Sequence, residues 1–427
     1  MNKINSFLIV LLIGINALFA QTKLDGNFAS EGKAITNIGN NGAVGQSIAI
    51  QADGKIVVGG YTSNNGMDYD FALVRYNANG WLDLSFGIQG KVITPLGNAS
   101  DFGKSIALQS DGKILLAGYS SNGENADFAI ARYNTNGSLD LSFGKNGIVK
   151  TDIANGNDYG KAVAIQTNGK IVLTGESYNG YNYDFATIRY NVDGSLDCTF
   201  ANKGIAITDL GNNDDAEALS IDFFGNIIIA GYSVNSNKDI ALVRYTSTGI
   251  LDQSFNRSGK TIIDIGNMDN AASAMMLQPN GEILVTGYSN NEDYNALALL
   301  RLNRNGKLDY DFGDKGMVTS ELDLNAIKGS CLSLQADGKI VVGGYKNNSN
   351  DYDFALMRYN DDGSNDNYFS DNIEQITIKK GSNDYCYAMA VQQDGKIVVA
   401  GSTSIGSTEN FEIARYISSE EISASVR

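Results

Sequence analysis

The sequence predicts an all-β fold, a seven-bladed β-propeller with four antiparallel strands in each blade. Three short motifs carry this prediction, because each occurs seven times, with edits, along the 427-residue chain. They are a D-G-K turn, an A-L-V-R-Y run and an L-D-x-S-F segment. Each returns after about 57 residues, and a fixed period of this size is typical of a repeat protein built from one supersecondary unit.

The third motif is out of phase with the other two, and this predicts how the ring closes. Its first copy, at Asp25, precedes every D-G-K turn, while the last R-Y pair, Arg415-Tyr416, has no L-D-x-S-F segment after it. The N-terminus therefore supplies what the last repeat lacks, so that both chain ends build one blade. A linear solenoid would instead need atypical capping repeats at its ends.

The sequence of each unit predicts four short strands, and the second unit is an example. Runs rich in Ile, Val, Leu, Phe and Tyr, bounded by Gly, Asn, Asp and Ser, predict strands over 103–109, 113–118, 127–133 and 147–152. D-G or N-G joins the first two strands in six of the seven units, which suits a tight hairpin. Four antiparallel strands repeated radially form propeller blades.

The repeats fill residues 21–417, which leaves room for a single domain. Residues 1–20 combine an early lysine, an apolar run and a small residue at Ala20, so we expect a secretory signal peptide that is cut before Gln21. A membrane anchor is the alternative, although the apolar run is short for a span. The mature chain has no other apolar stretch of that kind, and 418–427 is a short polar tail.

Charge and composition narrow the classes of partner and reaction. The net charge of −16 and the absence of a basic patch argue against nucleic-acid binding. The chain has no histidine, which removes the commonest general base and the usual Ser-His and Cys-His pairs. A pair of carboxylates could still hydrolyse a glycoside. We therefore expect no catalytic residues, and keep a glycoside hydrolase as the alternative.

Three cysteines remain, an odd number that cannot form a closed disulfide framework. Cys331 and Cys386 fall on the first strands of neighbouring blades, and Cys198 lies elsewhere. The first two form either a bridge or a pair of buried thiols that act as small apolar residues.

The arginine of each third strand needs a partner, because it stands in an otherwise apolar run. In six units the L-D-x-S-F aspartate lies eight residues further on, nearly opposite across a hairpin. These spacings predict structural ion pairs rather than a catalytic set, because seven equal copies indicate a scaffold. The pairs are Arg75–Asp83, Arg132–Asp140, Arg189–Asp197, Arg244–Asp252, Arg301–Asp309, Arg358–Asp366 and, from the two chain ends, Arg415–Asp25.

The pattern Q-x-D-G-K-I-V-V-G-G-Y, followed by D-F-A-L-x-R-Y-N-x-N-G-x-L-D-x-S-F-G, resembles the delta-60 repeat of bacteria in all seven units. The resemblance implies an exported bacterial β-propeller and brings no catalytic residues with it. Two units depart from the pattern, at 222–226 and at Ala296, and we expect local irregularity in those blades.

The ligand site is expected on one side of the ring. The hairpins that join strands one to two and three to four lie on one side and vary little. The remaining loops lie on the other side, vary, and are rich in Asn, Ser, Asp and Tyr, as binding loops on a rigid scaffold are. The candidate ligand-binding residues on this side are Asp101, Phe102, Asp158, Tyr159, Asp214, Asp215, Asn270, Asp384, Tyr385, Tyr69, Tyr183, Tyr294 and Tyr352.

The candidates have two interpretations. They could form a cation or sugar site at the mouth of the channel, or Asp and Asn could simply cap the turns that start the first strands. Calcium is the one metal that the many carboxylates suggest, but no compact D-x-D-x-D-G loop is present, so we expect no cofactor. The sequence thus favours a non-catalytic binding or scaffold protein. We expect it in the periplasm, at the outer surface or in the medium, with an envelope protein or an extracellular glycan as partner.

Overall fold

The computed structural model describes residues 23–63, 66–290, 295–319, 327–347, 351–366, 369, 374–376 and 382–417. It confirms the seven-bladed all-β propeller, with one antiparallel sheet in each blade. The predicted signal peptide and polar tail lie outside the described residues. The part of the chain that is described contains no helix long and apolar enough to cross a membrane.

Blades 1 to 6 each have four strands that follow one another in chain order, and blade 7 has five strands that come from both ends of the chain. Blade 1 has β3 (Ala43–Ile50), β4 (Ile56–Ser63), β5 (Tyr69–Tyr76) and β6 (Lys91–Thr94); blade 2 has β7 (Asp101–Leu108), β8 (Ile114–Ser121), β9 (Ala126–Tyr133) and β10 (Ile148–Thr151); blade 3 has β11 (Asp158–Ile165), β12 (Ile171–Tyr178), β13 (Tyr183–Tyr190) and β14 (Ile205–Thr208). Blade 4 has β15 (Asp214–Ile221), β16 (Ile227–Val234), β17 (Lys238–Tyr245) and β18 (Lys260–Ile263); blade 5 has β19 (Asn270–Leu277), β20 (Ile283–Asn290), β21 (Asn295–Leu302) and β22 (Met317–Thr319). Blade 6 has β23 (Ile327–Leu334), β24 (Ile340–Asn347), β25 (Tyr352–Tyr359) and β26 (Glu374–Ile376); blade 7 has β27 (Asp384–Val391), β28 (Ile397–Ile405), β29 (Thr408–Ile417), β1 (Lys23–Leu24) and β2 (Lys33–Thr36).

Ring closure uses both ends of the described chain, as the motif phase predicts. Strand β2 is the outer strand of blade 7 and pairs antiparallel with β29, while β1 pairs with the end of the same strand. The first strands of neighbouring blades contact one another all round the ring, including β27 with β3. The ring is therefore closed by hydrogen bonds between the N-terminal segment and the last repeat.

Each blade is held by one buried arginine. Its guanidinium lies 2.6–2.8 Å from the aspartate of the L-D-x-S-F segment in all seven blades, Arg415 with Asp25 included. The same guanidinium stacks on the phenylalanine of that segment, 4.3–4.8 Å from the ring centroid. Burial alone would raise the pKa of Asp83, but hydrogen bonds from Ser85 and Lys55 and the charge of Arg75 lower it to about 2.

The arginine also joins its blade to the next one. Arg75 Nη1 donates to the carbonyl of Thr135 in blade 2 at 2.5 Å, and Arg415 Nη1 donates to the carbonyl of Ala78 in blade 1 at 2.7 Å. A side chain on Gly80 would meet the ring of Phe28 at 2.8 Å, so the N-G turn of one blade packs on the phenylalanine of its neighbour. In six of the seven blades the arginine therefore links its blade to the next one through such a carbonyl.

The turn at 222–226 is regular, and the strand that contains Ala296 pairs with β20 without a register shift, so the expectation of local irregularity is wrong for both units. Gly225 donates to the Asp222 carbonyl at 2.9 Å, as Gly54 does to Gln51. The turn survives because Gly225 supplies the positive φ of 81° that the hairpin needs. Cys331 and Cys386 are buried free thiols with their sulfur atoms 3.7 Å apart, and Cys198 is an exposed thiol.

One buried carboxyl departs from the repeat. Each of the other six blades has an alanine in its third strand at the position that Glu412 occupies in blade 7. In blade 1 this residue is Ala72, which lies opposite Gly60. Its side chain is fully buried, and neither of its carboxyl oxygens has a hydrogen-bond partner. Burial, with a contribution from Asp384, raises the pKa of Glu412 well above its ordinary value, so burial favours the protonated form of this carboxyl in the folded protein.

Replacing Asp25 by alanine is expected to lower the free energy of unfolding by about 3–5 kcal/mol, because it leaves the buried Arg415 charge without its partner. Urea denaturation followed by circular dichroism measures the loss. Asp53→Ala is the matched control, since that aspartate pairs with Lys55 at the surface, where such pairs contribute about 0–1 kcal/mol. Equal stability of the Asp25→Ala variant and the wild type would contradict the closure role.

Replacing Glu412 by alanine is expected to raise the free energy of unfolding at pH 7 by about 1–3 kcal/mol, the cost of an unsatisfied buried polar group. The unfolded carboxyl loses its proton above pH ~4.3 while the folded one keeps it, so the wild type loses stability as pH rises from there. The increase in the free energy of unfolding caused by Glu412→Ala should therefore become smaller as the pH falls towards 4. Denaturation of the variant at pH 4 and pH 7 tests this, with the exposed Glu124→Ala as control; a gain that is equal at both pH values would refute it.

Candidate functional site

The central channel is lined by the first strand of every blade. These strands start on the side of the ring that carries the loops between strands two and three and between strand four and the next blade, here called the loop face. The hairpins of the other side form the hairpin face. Residues near the start of each first strand and near the end of each second strand therefore surround the mouth of the channel on the loop face.

A β-bulge occupies the same position in all seven first strands. The pairing with the second strand skips one residue each time. A bulge leaves its extra residue unpaired and re-aims its side chain. All seven bulge residues line one cavity in the channel: Gln46, Lys104, Lys161, Glu217, Ser273, Ser330 and Tyr387.

The bulge depends on a glycine in the opposite strand. A Cβ on Gly60 would lie 1.9 Å from the carbonyl oxygen of Val44, and the corresponding glycine of every other blade meets the same obstacle at 1.8–1.9 Å. The residues beside the bulge are small and nearly constant, whereas the bulge residue differs in chemistry from blade to blade. The repeat thus keeps its packing constant and presents its variable residue to the channel.

The cavity at the channel mouth has a volume of about 420 Å³. Besides the bulge residues, its walls include Asp215, Lys238, Lys328 and the tyrosines Tyr232 and Tyr288. Four lysines and two carboxylates line it, which gives a formal charge of +2 (4 − 2) in a chain whose net charge is −16. The mouth of the channel is therefore a local positive site on an acidic protein.

One of these lysines is neutralised by neighbouring carboxylates. Lys161 Nζ lies 3.2 Å from Glu217, 3.3 Å from Asp215 and 3.8 Å from Glu176. Burial and the charge of Asp215 raise the pKa of Glu176 to about 8, and burial and Glu217 raise the pKa of Asp215 to about 6. This cluster holds more acidic groups than Lys161 can compensate, so Glu176 keeps a proton near neutral pH.

The other lysines have no ion-pair partner among the described residues. The Lys104 ammonium lies 5.3 Å from the centroid of the Tyr61 ring, Lys328 lies 5.3 Å from Tyr288, and Lys238 lies over Tyr232. Burial and the charge of Lys161 lower the pKa of Lys104 to about 8, and burial lowers the pKa of Lys328. Partly buried cations without a counterion favour an anionic ligand.

Aromatic rings surround this positive site on the loop face. One series of rings in contact runs through blades 1 to 3 with centroids 4.9–6.0 Å apart, and it comprises Tyr61, Tyr69, Phe102, Tyr119, Tyr159, Tyr178 and Tyr183. A second series joins Tyr345, Tyr352, Tyr385 and Tyr387 with centroids 5.0–6.5 Å apart. We call these two series the aromatic collar.

The structure divides the candidate residues of the sequence into two groups. Asp215 lines the channel, and the collar brings together Phe102, Tyr159, Tyr385, Tyr69, Tyr183 and Tyr352. Tyr294 lies outside the described residues.

The second group consists of Asp101, Asp158, Asp214, Asn270 and Asp384, whose side chains are fully buried. Most of them close the preceding loop: Asp101 accepts from the Leu96 amide at 2.7 Å and Asp158 from the Ile153 amide at 2.6 Å. Burial raises the pKa of Asp158 to about 7 and that of Asp214 to about 6.

Sequence reasoning missed most of the residues that line the channel, among them Lys104, Lys161, Glu217 and Lys328. The signal was present in the glycine that precedes the tyrosine in G-G-Y. A glycine inside a strand often marks a bulge, and its position predicts where the opposite strand bulges.

The comparisons with known proteins agree with this architecture. The chain matches the family described as "Domain of unknown function (DUF5122) beta-propeller" over residues 51–86, 109–143, 166–200, 225–255, 278–312, 335–369 and 392–418. No curated protein matches the sequence.

Among solved structures, a catalytically inactive virginiamycin B lyase from Staphylococcus aureus with quinupristin is similar, with a TM-score of 0.51 and 13% identity over 90% of this chain and 98% of that one. An ulvan lyase of polysaccharide lyase family PL25, bound to GlcA(1-4)Rha3S, has a TM-score of 0.52 and 13% identity over 90% and 96%. At this identity the likeness extends to the fold.

Proposed function

Because the chain belongs to the DUF5122 β-propeller family, which assigns no activity, we propose from the channel geometry that it is a non-catalytic binding protein for an acidic glycan. The observation that carries this proposal is the set of seven bulges. They direct one variable side chain from every blade into one cavity, while the rest of the repeat stays constant. Scaffolds that present variable residues at one place commonly bind ligands there.

The size and lining of the cavity favour a sugar. A volume of about 420 Å³ lies in the range of small-molecule sites, which is about 300–1,000 Å³. The collar offers aromatic faces against which the apolar face of a sugar ring can pack, and tyrosine hydroxyls that can bond to its hydroxyl groups. A glycan end fits such a site better than a flat protein surface does.

The charge of the cavity selects an acidic ligand. Lys104, Lys238 and Lys328 lack counterions among the described residues, and an ammonium gains more from a carboxylate or sulfate than from a neutral hydroxyl. The low pKa of Lys104 indicates that burial destabilises its charged form more than the neighbouring carboxylates stabilise it. An anionic group between these lysines would supply the missing partner.

The proposal also includes the location of the protein, which is export to the bacterial cell envelope or surface. The signal-peptide pattern of residues 1–20 and the resemblance to the delta-60 repeat support it. Acidic glycans are extracellular ligands that such a protein would meet.

A second candidate is a glycoside hydrolase that uses the same cavity. Its support is that Glu176 and Asp215 lie 3.8 Å and 3.3 Å from Lys161 Nζ, and that burial and neighbouring carboxylates raise the pKa of each. A carboxylic acid that keeps its proton beside an ionised carboxylate is what such an enzyme needs. In that case Glu176 would protonate the leaving group. The two lyases of similar fold identify no catalytic residue in this chain for the second candidate.

Lys104→Met and Lys328→Met are each expected to weaken binding of an acidic glycan about tenfold or more, since a charged hydrogen bond contributes about 1.5–3 kcal/mol. Calorimetry against an acidic glycan and its neutral counterpart measures the effect. Lys145→Met on the hairpin face is the matched control and should bind normally. Equal affinity for the acidic and the neutral glycan would refute the proposed ligand class.

The affinity for the acidic glycan is expected to be highest below about pH 7 and to fall as pH rises through about 8. Lys104, with its pKa of about 8, loses its charge there, while Asp215 and Glu176 become more negative over the same range. Titrations between pH 6 and 9 test this. The Lys104→Met variant should show a weaker dependence, and an affinity that rises with pH would contradict the assignment.

Glycan turnover separates the two candidates. Incubation of the wild type with a bound acidic glycan should release no new reducing ends, because binding alone is proposed. Release that Glu176→Gln abolishes while binding persists would establish the hydrolase and overturn the non-catalytic proposal.

A further inference from the structure

Two adjacent blade interfaces each gather three aspartates on the loop face, away from the channel. Site A, between blades 2 and 3, contains Asp127, Asp152 and Asp158, and one carboxylate oxygen from each lies within 4.8 Å of the others. Site B, between blades 3 and 4, repeats this arrangement with Asp184, Asp209 and Asp214. In each site the residues come from the start of a third strand, the loop after the fourth strand and the start of the next first strand.

The local structure uses only part of the bonding capacity in site A. Asn122 donates to Oδ2 of Asp127 at 3.3 Å, and the Ile153 amide donates to Oδ2 of Asp158 at 2.6 Å. Oδ1 of Asp127 accepts no hydrogen bond, although only 8% of this residue is exposed. Oδ1 of Asp158 accepts no hydrogen bond, although the Ser177 side chain interacts with this carboxyl and lowers its pKa.

Site B shows the same pattern independently. Asn179 donates to Oδ2 of Asp184 at 2.8 Å, and the Leu210 amide donates to Oδ2 of Asp214 at 2.7 Å. Oδ1 of Asp184 accepts no hydrogen bond, and only 4% of that residue is exposed. Oδ1 of Asp214 likewise accepts no hydrogen bond, although the Ser233 side chain interacts with this carboxyl and lowers its pKa. Each site therefore holds buried carboxyl oxygens without a hydrogen-bond donor, which is costly unless a cation or a bound proton compensates them.

No basic side chain of the described residues forms an ion pair with these six aspartates. Lys150 and Lys260 approach the two sites, but the Lys150 ammonium donates to Ser120 Oγ at 2.6 Å and the Lys260 ammonium to the Asp209 carbonyl at 2.7 Å. Within the described residues no cation is therefore in ion-pair contact with these carboxylates, although the charge of Lys150 acts on Asp127 from further away and lowers its pKa.

We propose that sites A and B each bind a Ca²⁺ ion that joins the two adjacent blades. All ligands offered are oxygens, which suits a hard cation, and calcium accepts carboxylates from separate loops together with water. One exposed aspartate in each site, Asp152 or Asp209, leaves an entry path from solvent. The ions bind independently of any ligand in the channel.

Two other interfaces of the same ring lack one of the three aspartates, and they show which residues take its place. Between blades 1 and 2, Pro95 stands where the second aspartate would be, and Asp101 bonds to Ser120. Between blades 4 and 5, Asn270 replaces the third aspartate, and its amide donates to the Ile265 and Met268 carbonyls. An amide donor thus satisfies part of this interface, although Oδ1 of Asn270 and Oδ1 of Asp239 accept no hydrogen bond there.

Calcium uptake by the mature chain tests the proposal. After treatment with a chelator and its removal, the protein should bind two Ca²⁺ ions per chain in equilibrium dialysis, and its melting temperature should rise with calcium concentration. Asp152→Asn and Asp209→Asn should each bind one ion fewer, and the double variant should bind none. Both replacements leave the buried aspartates in place, and the matched control Asp264→Asn, at the interface with Asn270, should still bind two.

Three results would overturn the proposal. One is no uptake at millimolar calcium. Another is an uptake that Asp152→Asn and Asp209→Asn leave unchanged. The third is that the melting temperature of Asp152→Asn exceeds that of the wild type by the same amount with and without calcium. In that case the only effect of Asp152 would be to repel the neighbouring aspartates. Binding of Mg²⁺ in preference to Ca²⁺ would overturn the choice of ion.

Discussion

The fold depends on one interaction that recurs in every blade, a buried arginine that holds an aspartate and a phenylalanine ring and, in six of the seven blades, a carbonyl of the next blade. A guanidinium can serve all three because it is planar, always charged and carries several donors. Arg75 joins Asp83 and Phe86 within blade 1 and Thr135 in blade 2. A charge buried in this way is costly without its partners, so the ring has strong reason to close with the N-terminal Asp25 in place.

This interaction lies near the hairpin face and leaves the opposite end of each first strand free to vary. The glycine opposite each bulge and the small residues beside it carry the packing between the strands. The bulge residue itself makes no ladder hydrogen bonds, so lysine, glutamate, serine or tyrosine can occupy it without a change of fold. Stability and ligand choice therefore reside in different residues of the same repeat.

The seven blades are not chemically equal, although they are built alike. The lysine and carboxylate groups of the cavity are concentrated in blades 2 to 4, and the two aspartate sites lie at the interfaces of the same blades. Cations bound there would stiffen the part of the ring that carries Lys104, Lys161 and Glu217. The opposite side of the ring contributes the tyrosines of the second series and Lys328.

The sequence by itself determined the number of blades, the closure by both chain ends and the arginine–aspartate pairs. These follow from a fixed period and from contacts between residues eight positions apart, which a hairpin brings together locally. The tertiary structure alone decided which side chains meet at the axis. Lys104 is the unpaired bulge residue of its strand and lines the channel, while Asp101, three residues earlier on the same strand, is buried. That convergence depends on the geometry of the closed ring, which no single repeat contains.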